Sequence, residues 1–257
     1  MDSIALEAQW FKLQWQASKI RADVPELHHV LDERVLKVHN IHIAIAILVA
    51  GTLARNPEEE VQLQRRFESL LIKKPHISLS AVADLEAIVE RDPAFPIHLE
   101  AFMFSKGFVA LQSYRLAHTI LAGGNRFLAL YLQARCNIVL GIDINPAAKI
   151  GSGILLDHGT GIVIGETAII EDDVSILQGV TLGGTGKCSG NRHPKVRQGV
   201  FIGAGAKILG NIEIGHGAKI GANAVVLNPV PSATTAVGVP ARNIRQPHPI
   251  PLQNVKS

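Results

Sequence analysis

Cysteine is scarce: the chain of 257 residues has two, Cys136 and Cys188. A small secreted domain stapled by disulfides uses more, so two free thiols in a reducing cytoplasm are the expectation. Aromatic residues make up only 5%, too few for platforms that stack nucleic-acid bases. The formal net charge is only +3, without the concentrated basic face of a nucleic-acid binder. Long apolar runs are missing as well. The longest, 41–54, holds 14 residues interrupted by His42 and Gly51, short for a bilayer span and suited to a buried helix. The opening Met1-Asp2-Ser3-Ile4 lacks the basic-then-apolar order of a signal peptide. A soluble cytoplasmic protein, with no nucleic-acid or membrane partner, is expected.

What is present falls into two halves. Up to residue 140 glycine is sparse and the pattern is helical. In 106–116, Phe108, Leu111, Arg115 and Leu116 recur near helical spacing, and 125–136 continues with Phe127, Leu128, Leu130, Tyr131 and Leu132. Gly123-Gly124 marks the turn between them, and Asp92-Pro93-Ala94-Phe95-Pro96 marks a break. Cys136, on an apolar helical stretch, reads as packing.

From 141 onward an aliphatic residue recurs every sixth position. One register runs Ile144, Ile150, Leu156, Ile162; a second Ile164, Ile170, Ile176, Leu182; a third Ile202, Ile208, Ile214, Ile220, Val226. Glycine often follows, as at Gly151, Gly165, Gly203, Gly215 and Gly221, where a positive φ is expected to ease the turn. Four residues after the aliphatic comes a small or β-branched residue: Ala148, Thr160, Ala168, Val174, Val180, Ala206, Ala218, Ala224. Strands this short cannot bury a face alone. Three joined by tight turns make a triangular coil of about 18 residues, with the aliphatics at its corners pointing inward, and stacked coils form a parallel β-helix. The registers slip by two residues at 162–164 and break again across 182–202. There Gly183 to Gly199 reads as a projecting loop of the kind that carries function. The expected division is a helical domain at 1–140, a hexapeptide-repeat domain at 141–245, and an extended proline-bearing tail at 246–257.

The local motifs are more specific than the hexads. Asp143-Ile144-Asn145-Pro146-Ala147-Ala148-Lys149-Ile150-Gly151, Leu156-Asp157-His158, Val163-Ile164-Gly165-Glu166-Thr167-Ala168 and Asp172-Asp173-Val174-Ser175-Ile176-Leu177-Gln178 closely resemble the serine acetyltransferase family. So do Thr181-Leu182-Gly183-Gly184-Thr185-Gly186-Lys187, Arg192-His193-Pro194-Lys195, the run 202–211, Arg91-Asp92-Pro93-Ala94 and Lys106-Gly107-Phe108. The resemblance covers about 85–245 and extends more thinly through the first helices. It implies an α+β chain: an N-terminal all-α domain, then a left-handed parallel β-helix. It implies trimers through the β-helix, paired into hexamers in many members, with active sites between neighbouring protomers. It implies acetyl-CoA as co-substrate, L-serine as acceptor in cysteine biosynthesis, and L-cysteine as feedback inhibitor.

The serine hydroxyl needs a base as it attacks a thioester, and histidine suits neutral pH. Asp143 precedes His158 by 15 residues, nearly one coil, a spacing that can set the carboxylate beside the imidazole. The family makes the same assignment. A zwitterionic substrate calls for both charges: Arg192 for the carboxylate, Asp92 and Asp157 for the ammonium. For Asp92 a helix N-cap before Pro93 is the competing role. His193 resembles a family active-site residue that orients substrate or stabilises the oxyanion, and Glu166 is a polar candidate with a structural role equally open. For the CoA arm the candidates are Gly183, Gly184, Thr185, Ala204 and Ala222, with Lys219 for a phosphate. No metal is expected.

Three other readings compete. A hexapeptide acyltransferase of sugars or antibiotics would keep His158 without a zwitterion clamp. A γ-type carbonic anhydrase would gather histidines around zinc, for which His158, His193 and His216 are available. A scaffold without activity has no use for Asp143 and His158 together. The stretch 183–187 lacks full Walker spacing, and Cys188 is not needed as a nucleophile. Asn145 stands where some relatives have histidine. The tail ends Val255-Lys256-Ser257 rather than in the isoleucine with which the family engages O-acetylserine sulfhydrylase, so that complex is not expected.

Overall fold

The computed structural model describes residues 2–186 and 189–245; Lys187, Cys188 and the tail 246–257 lie outside the described residues. The helical half comprises α1 (Asp2–Asp23), α2 (His28–Leu31) between single turns at Pro25–Leu27 and Asp32–Leu36, α3 (Ile41–Leu53), α4 (Pro57–Lys73), α5 (His76–Arg91), α6 (His98–Phe104), α7 (Lys106–Ala122) and α8 (Arg126–Leu140). Side-chain caps start four of them. Asn40 accepts from the Ile43 N–H, Asn56 from Glu59, Ser105 from Phe108 and Asn125 from Leu128, each satisfying an orphan donor of the first turn. The apolar run 41–54 is the buried α3, as its short length implied. Gly141, in the left-handed region at φ 68°, ends α8.

Fifteen strands then follow in three sheets. Sheet A stacks β1 (Asp143–Ile144), β4 (Val163–Ile164), β7 (Thr181–Gly183), β10 (Lys207–Leu209) and β13 (Val225–Val226). Sheet B stacks β2 (Lys149–Ile150), β5 (Ile169–Ile170), β8 (Lys195–Val196) and β11 (Glu213–Ile214). Sheet C stacks β3 (Leu155–Asp157), β6 (Ser175–Leu177), β9 (Phe201–Ile202), β12 (Lys219–Ile220), β14 (Thr234–Gly238) and β15 (Ala241–Arg245). All pairs are parallel except the closing β14–β15 hairpin. This is the expected helical half followed by a triangular β-solenoid. The chain passes from A to B to C and back to A, so each coil has an A–B, a B–C and a C–A corner.

The strand register explains the two breaks in the repeat. Up sheet A, Ile144 pairs with Ile164, Ile164 with Leu182, Leu182 with Ile208, and Ile208 with Val226. The steps are 20, 18, 26 and 18 residues, so the first coil carries two extra residues and the third carries eight. The two extra residues sit in the C–A corner of coil one. Ile162 therefore does not continue the strand register; it takes the buried inward place expected of Thr160, and Thr160 is exposed. The aliphatics themselves lie within the short strands, not at the corners.

The glycines that follow the aliphatics are also corrected. Gly151, Gly165, Gly203, Gly215 and Gly221 are not in the positive-φ region. They are glycine because the next coil or loop comes too close: a Cβ would fall 2.7 Å from the Ala222 nitrogen at Gly203 and 2.4 Å from the Ser232 nitrogen at Gly215. After Gly151, Gly203, Gly215 and Gly221, positive φ falls two residues later in the turn, at Gly153, Gly205, Gly217 and Asn223.

Helix α7 lies along the first coil and is buried along most of its length. Tyr114 donates its hydroxyl to Ala148 O at 2.6 Å, and His118 Nδ1 meets Pro146 O at 2.7 Å. Gly107 permits the closest approach, since a Cβ there would lie 1.9 Å from Leu156 O. Between α5, α7 and the coil sits Asp84, wholly buried. Its carboxylate accepts from Arg115 Nε and Nη2 (3.0 and 2.7 Å), Gln112 Nε2 (3.1 Å) and the Ile154 N–H (3.0 Å). Arg115 Nη2 also donates to Gly151 O at 2.7 Å. Burial pushes the Asp84 carboxyl up, opposed by Arg115, the Ile154 N–H and Gln112. Asp84→Ala leaves a buried guanidinium uncompensated, and a loss of ~3–5 kcal/mol in unfolding free energy is expected by urea titration. A loss of about 1 kcal/mol, the scale of a surface pair, would show that the junction does not rest on this ion pair.

Candidate active site

The two extra residues of coil one make an unusual corner. β3 ends at Asp157, and His158 follows in the left-handed region at φ 54°. The Gly159 N–H then turns back to Asp157 O at 2.6 Å, and the Gly161 N–H bonds Gly141 O at 2.7 Å. A non-glycine residue in this conformation is uncommon, and here it carries the imidazole outward. The His158 side chain is 74% exposed, with Nε2 3.6 Å from Asp157 Oδ1. Lys106, at the start of α7, donates to Thr160 Oγ1 on the same corner. Gly159 packs against Ile142, so Asp143, the next residue, starts sheet A beside this corner. Its N–H bonds Ile162 O at 2.9 Å, and its Oδ1 accepts from Gln133 Nε2 of α8 at 2.6 Å. Within one chain the carboxylate at ion-pair distance from His158 is therefore that of Asp157, while Asp143 is held by Gln133.

The eight extra residues of coil three form the loop after β7, on the A–B corner. This loop returns against the corner below it. The ring of His193 is buried over Gly165, where a Cβ would lie 2.1 Å from Nε2. His193 Nδ1 receives the Thr167 N–H at 3.1 Å and lies 2.8 Å from Thr167 Oγ1. Lys195 Nζ donates to Thr167 O at 2.8 Å and to His193 O at 2.7 Å. Arg192 Nη2 pairs with Glu166 Oε2 at 2.7 Å, and Nη1 donates to Gly190 O at 3.1 Å. Burial holds the His193 imidazole below its ordinary pKa, helped by the charges of Arg192 and Lys195 and opposed by Glu166.

Asp92 ends α5, and its Oδ1 accepts from the Ala94 N–H at 2.9 Å, so it closes a turn and is not a helix N-cap. Its neighbour Arg91 grips Gly153 O and Asp173 O on the B–C corner and approaches Ser175 of β6, so Asp92 leaves α5 beside the sheet C side of the first coils. The residues expected at CoA divide between corners. Gly183, Gly184 and Thr185 begin the A–B loop; Ala204 and Ala222 stack one coil apart on the C–A corner, joined by the Asn223 N–H to Ala204 O at 2.7 Å; Lys219 is exposed at the start of β12. Asn145 caps its own turn through the Ala147 N–H at 2.9 Å. Cys136 is buried, which pushes its thiol up to about 12, in keeping with packing.

His158, His193 and His216 lie on three different corners. Among the described residues no group of three or more His, Cys, Asp or Glu side chains could hold a metal ion. A cavity of about 650 Å³ lies at α1 and α3, lined by Trp10, Phe11, His39 and His42, and it includes none of the motif residues. No described helix is long and apolar enough to cross a membrane. Pattern reading missed Gln133, Lys106, Thr167 and Lys195. Thr167 and Lys195 lie inside quoted motifs, but only the folded register reveals what they hold.

A model of the N-terminal region of serine acetyltransferases matches residues 9–113, and a model of bacterial transferase hexapeptide repeats matches 193–228. The serine acetyltransferase of Salmonella typhimurium is 49% identical over 94% of this chain and 89% of its own length. Among solved structures, a serine acetyltransferase from Brucella abortus in complex with coenzyme A is 44% identical, with a TM-score of 0.90 over 92% of this chain and 95% of that one. A serine acetyltransferase in complex with cysteine is 50% identical, with a TM-score of 0.89 over 91% and 98%.

The buried cationic surroundings of His193 have a direct consequence. Its imidazole is expected to titrate below the ordinary value of about 6.5 by NMR. Removing the neighbouring charge in Arg192→Gln is expected to move the midpoint upward, and an unchanged midpoint would show that burial and Lys195 lower it without Arg192.

Proposed function

The chain belongs to the serine acetyltransferase family, and from that membership we propose that it moves acetyl from acetyl-CoA to the hydroxyl of L-serine with His158 as general base. His158 Nε2 accepts the hydroxyl proton as the serine oxygen attacks the thioester carbonyl. The tetrahedral adduct collapses, the C–S bond breaks, and the imidazolium returns the proton to the departing CoA sulfur. No acyl-enzyme is needed. The observation that carries this reading is the C–A corner of coil one, where two extra residues lift His158 into solvent beside Asp157. Asp157 and Asp92 fit the substrate ammonium. Asp143 fits the role of imidazole partner through the oxygen that Gln133 leaves free. Arg192 and His193 fit the anionic groups, with Glu166 holding the Arg192 fork until a carboxylate replaces it.

The two sets of residues favour an assembly with sites between protomers. In one chain, His158 on the C–A corner and the Arg192–His193 loop on the A–B corner are separated by the strand face of sheet A, roughly 10–13 Å of extended backbone. One amino acid as small as serine does not bridge them. When triangular solenoids pack side by side about a threefold axis, the C–A corner of one faces the A–B corner of the next. The same packing joins the two halves of the CoA set. Pairing of two such trimers through the helical halves, a cytoplasmic setting and inhibition by L-cysteine, a serine analogue with a thiol, complete the reading.

Thiol release with acetyl-CoA and L-serine tests the base. His158→Ala is expected to lose on the order of 10²–10⁴-fold in turnover, and wild-type rates would overturn the assignment. Co-expression tests the shared site. His158→Ala and His193→Ala chains, each inactive alone, are expected to regain about a quarter of the sites when mixed at random in equal amounts. No regain in mixed oligomers would place both histidines in the same protomer's site. L-cysteine is expected to raise the apparent KM for serine, and initial rates indifferent to cysteine would remove that part of the proposal.

A further inference from the structure

Thr167 stands at a junction between the solenoid and the loop. Its Oγ1 receives the Arg192 N–H at 3.0 Å and the His193 N–H at 3.1 Å, and it lies 2.8 Å from His193 Nδ1. A hydroxyl has two acceptor sites and one proton. With both acceptor sites taken by backbone donors, the proton points to Nδ1. The Thr167 N–H also donates to Nδ1, at 3.1 Å. Nδ1 thus faces two donors and has no room for a proton of its own, so the neutral ring carries its proton on Nε2. Gly165 lies against that edge, where a Cβ would fall 2.0 Å from Cδ2 and 2.1 Å from Nε2. Lys195 holds the carbonyls of both Thr167 and His193 and so ties the two ends of the arrangement together. Arg192 and Lys195 are the cations facing the ring, and Glu166 is the anion.

We propose that Thr167 is a positioning residue that locks His193 in one tautomer and one ring orientation, presenting Nε2–H as a fixed donor to an anionic oxygen of the reactants. The proposal rests on the reading above, in which His193 faces the substrate. The lock also keeps this second histidine from competing as a base, because its only lone pair is occupied. The reaction then has one proton acceptor, His158, and one preorganised donor, His193.

The ring nitrogens report the lock without any turnover. In histidine-labelled full-length protein at neutral pH, the ¹⁵N signals lost in His193→Gln are expected to show a protonated Nε2 and an unprotonated, hydrogen-bonded Nδ1. A protonated Nδ1 would overturn the proposal. Thr167→Val removes the hydroxyl. It leaves only the backbone N–H of residue 167 on Nδ1, so it is expected to weaken the hydrogen-bond shift there and to lower kcat/KM for serine on the order of 10²-fold, the scale of one lost oxyanion donor. The KM for acetyl-CoA should change little. Thr167→Ser keeps the hydroxyl and is expected to restore both the signal and the rate. Failure of the serine variant to rescue, or wild-type serine kinetics in the valine variant, would also overturn the lock. Loss of the His158→Ala defect would instead strike at the general-base reading, so the two failures are distinguishable.

Discussion

The carboxylate of Asp84 is wholly buried, and everything downstream of it depends on the donors that hold it there. Arg115 and Gln112 reach it from α7, and the Ile154 N–H reaches it from the first coil. Arg115 continues to Gly151 O. One buried ion pair thereby ties helix to helix and helix to solenoid. A buried charge left unpaired is costly, so the arrangement tolerates little displacement of any member. With α7 fixed on coil one, Lys106 and Gly107 come to rest against the corner that holds His158. The helical half is thus the support on which the corner that carries His158 is built.

The solenoid itself is chemically quiet where its repeat is strict. Its interior is aliphatic and alanine, and its turns repeat with little variation. The candidate site side chains gather where the repeat fails. Two extra residues in coil one carry His158 outward, and eight extra in coil three carry Arg192 and His193. At Gly203 and Gly215, on regular corners, close approach of the next coil or loop demands glycine. Departing from the period frees a corner from that constraint.

Much of this was legible in the sequence, for identifiable reasons. Period six along Ile202 to Val226 is set by strand length and turn length, both local properties, and the strands follow it. The capped α7 and α8 lie where helical spacing put them. The slip at 162–164 was visible, but which residue turned inward was not. Ile162 and Thr160 exchange expected places because an insertion is absorbed at a corner, which depends on how coils stack. The glycines were recognised for the wrong cause: backbone conformation was expected, whereas proximity of another coil decides them. For Asp92 the competing role beside Pro93 was a helix N-cap, yet the helix it touches is the one behind it. Gln133 and Thr167 could not be assigned partners at all, since theirs are set by tertiary register 10 and 26 residues away.

A sequence with a strict period contains no instruction about where to stop, and stacked strands offer each open end as a template for another chain. Here the first coil is covered by α7, and the last strand pair reverses direction, β15 running against β14 through five paired positions. In sheet C the parallel ladder therefore ends in an antiparallel strand. A packed helix at one end and a reversed strand at the other thus stand where a further coil would add to the described solenoid. A motif prone to indefinite growth along its axis is thereby given a stop.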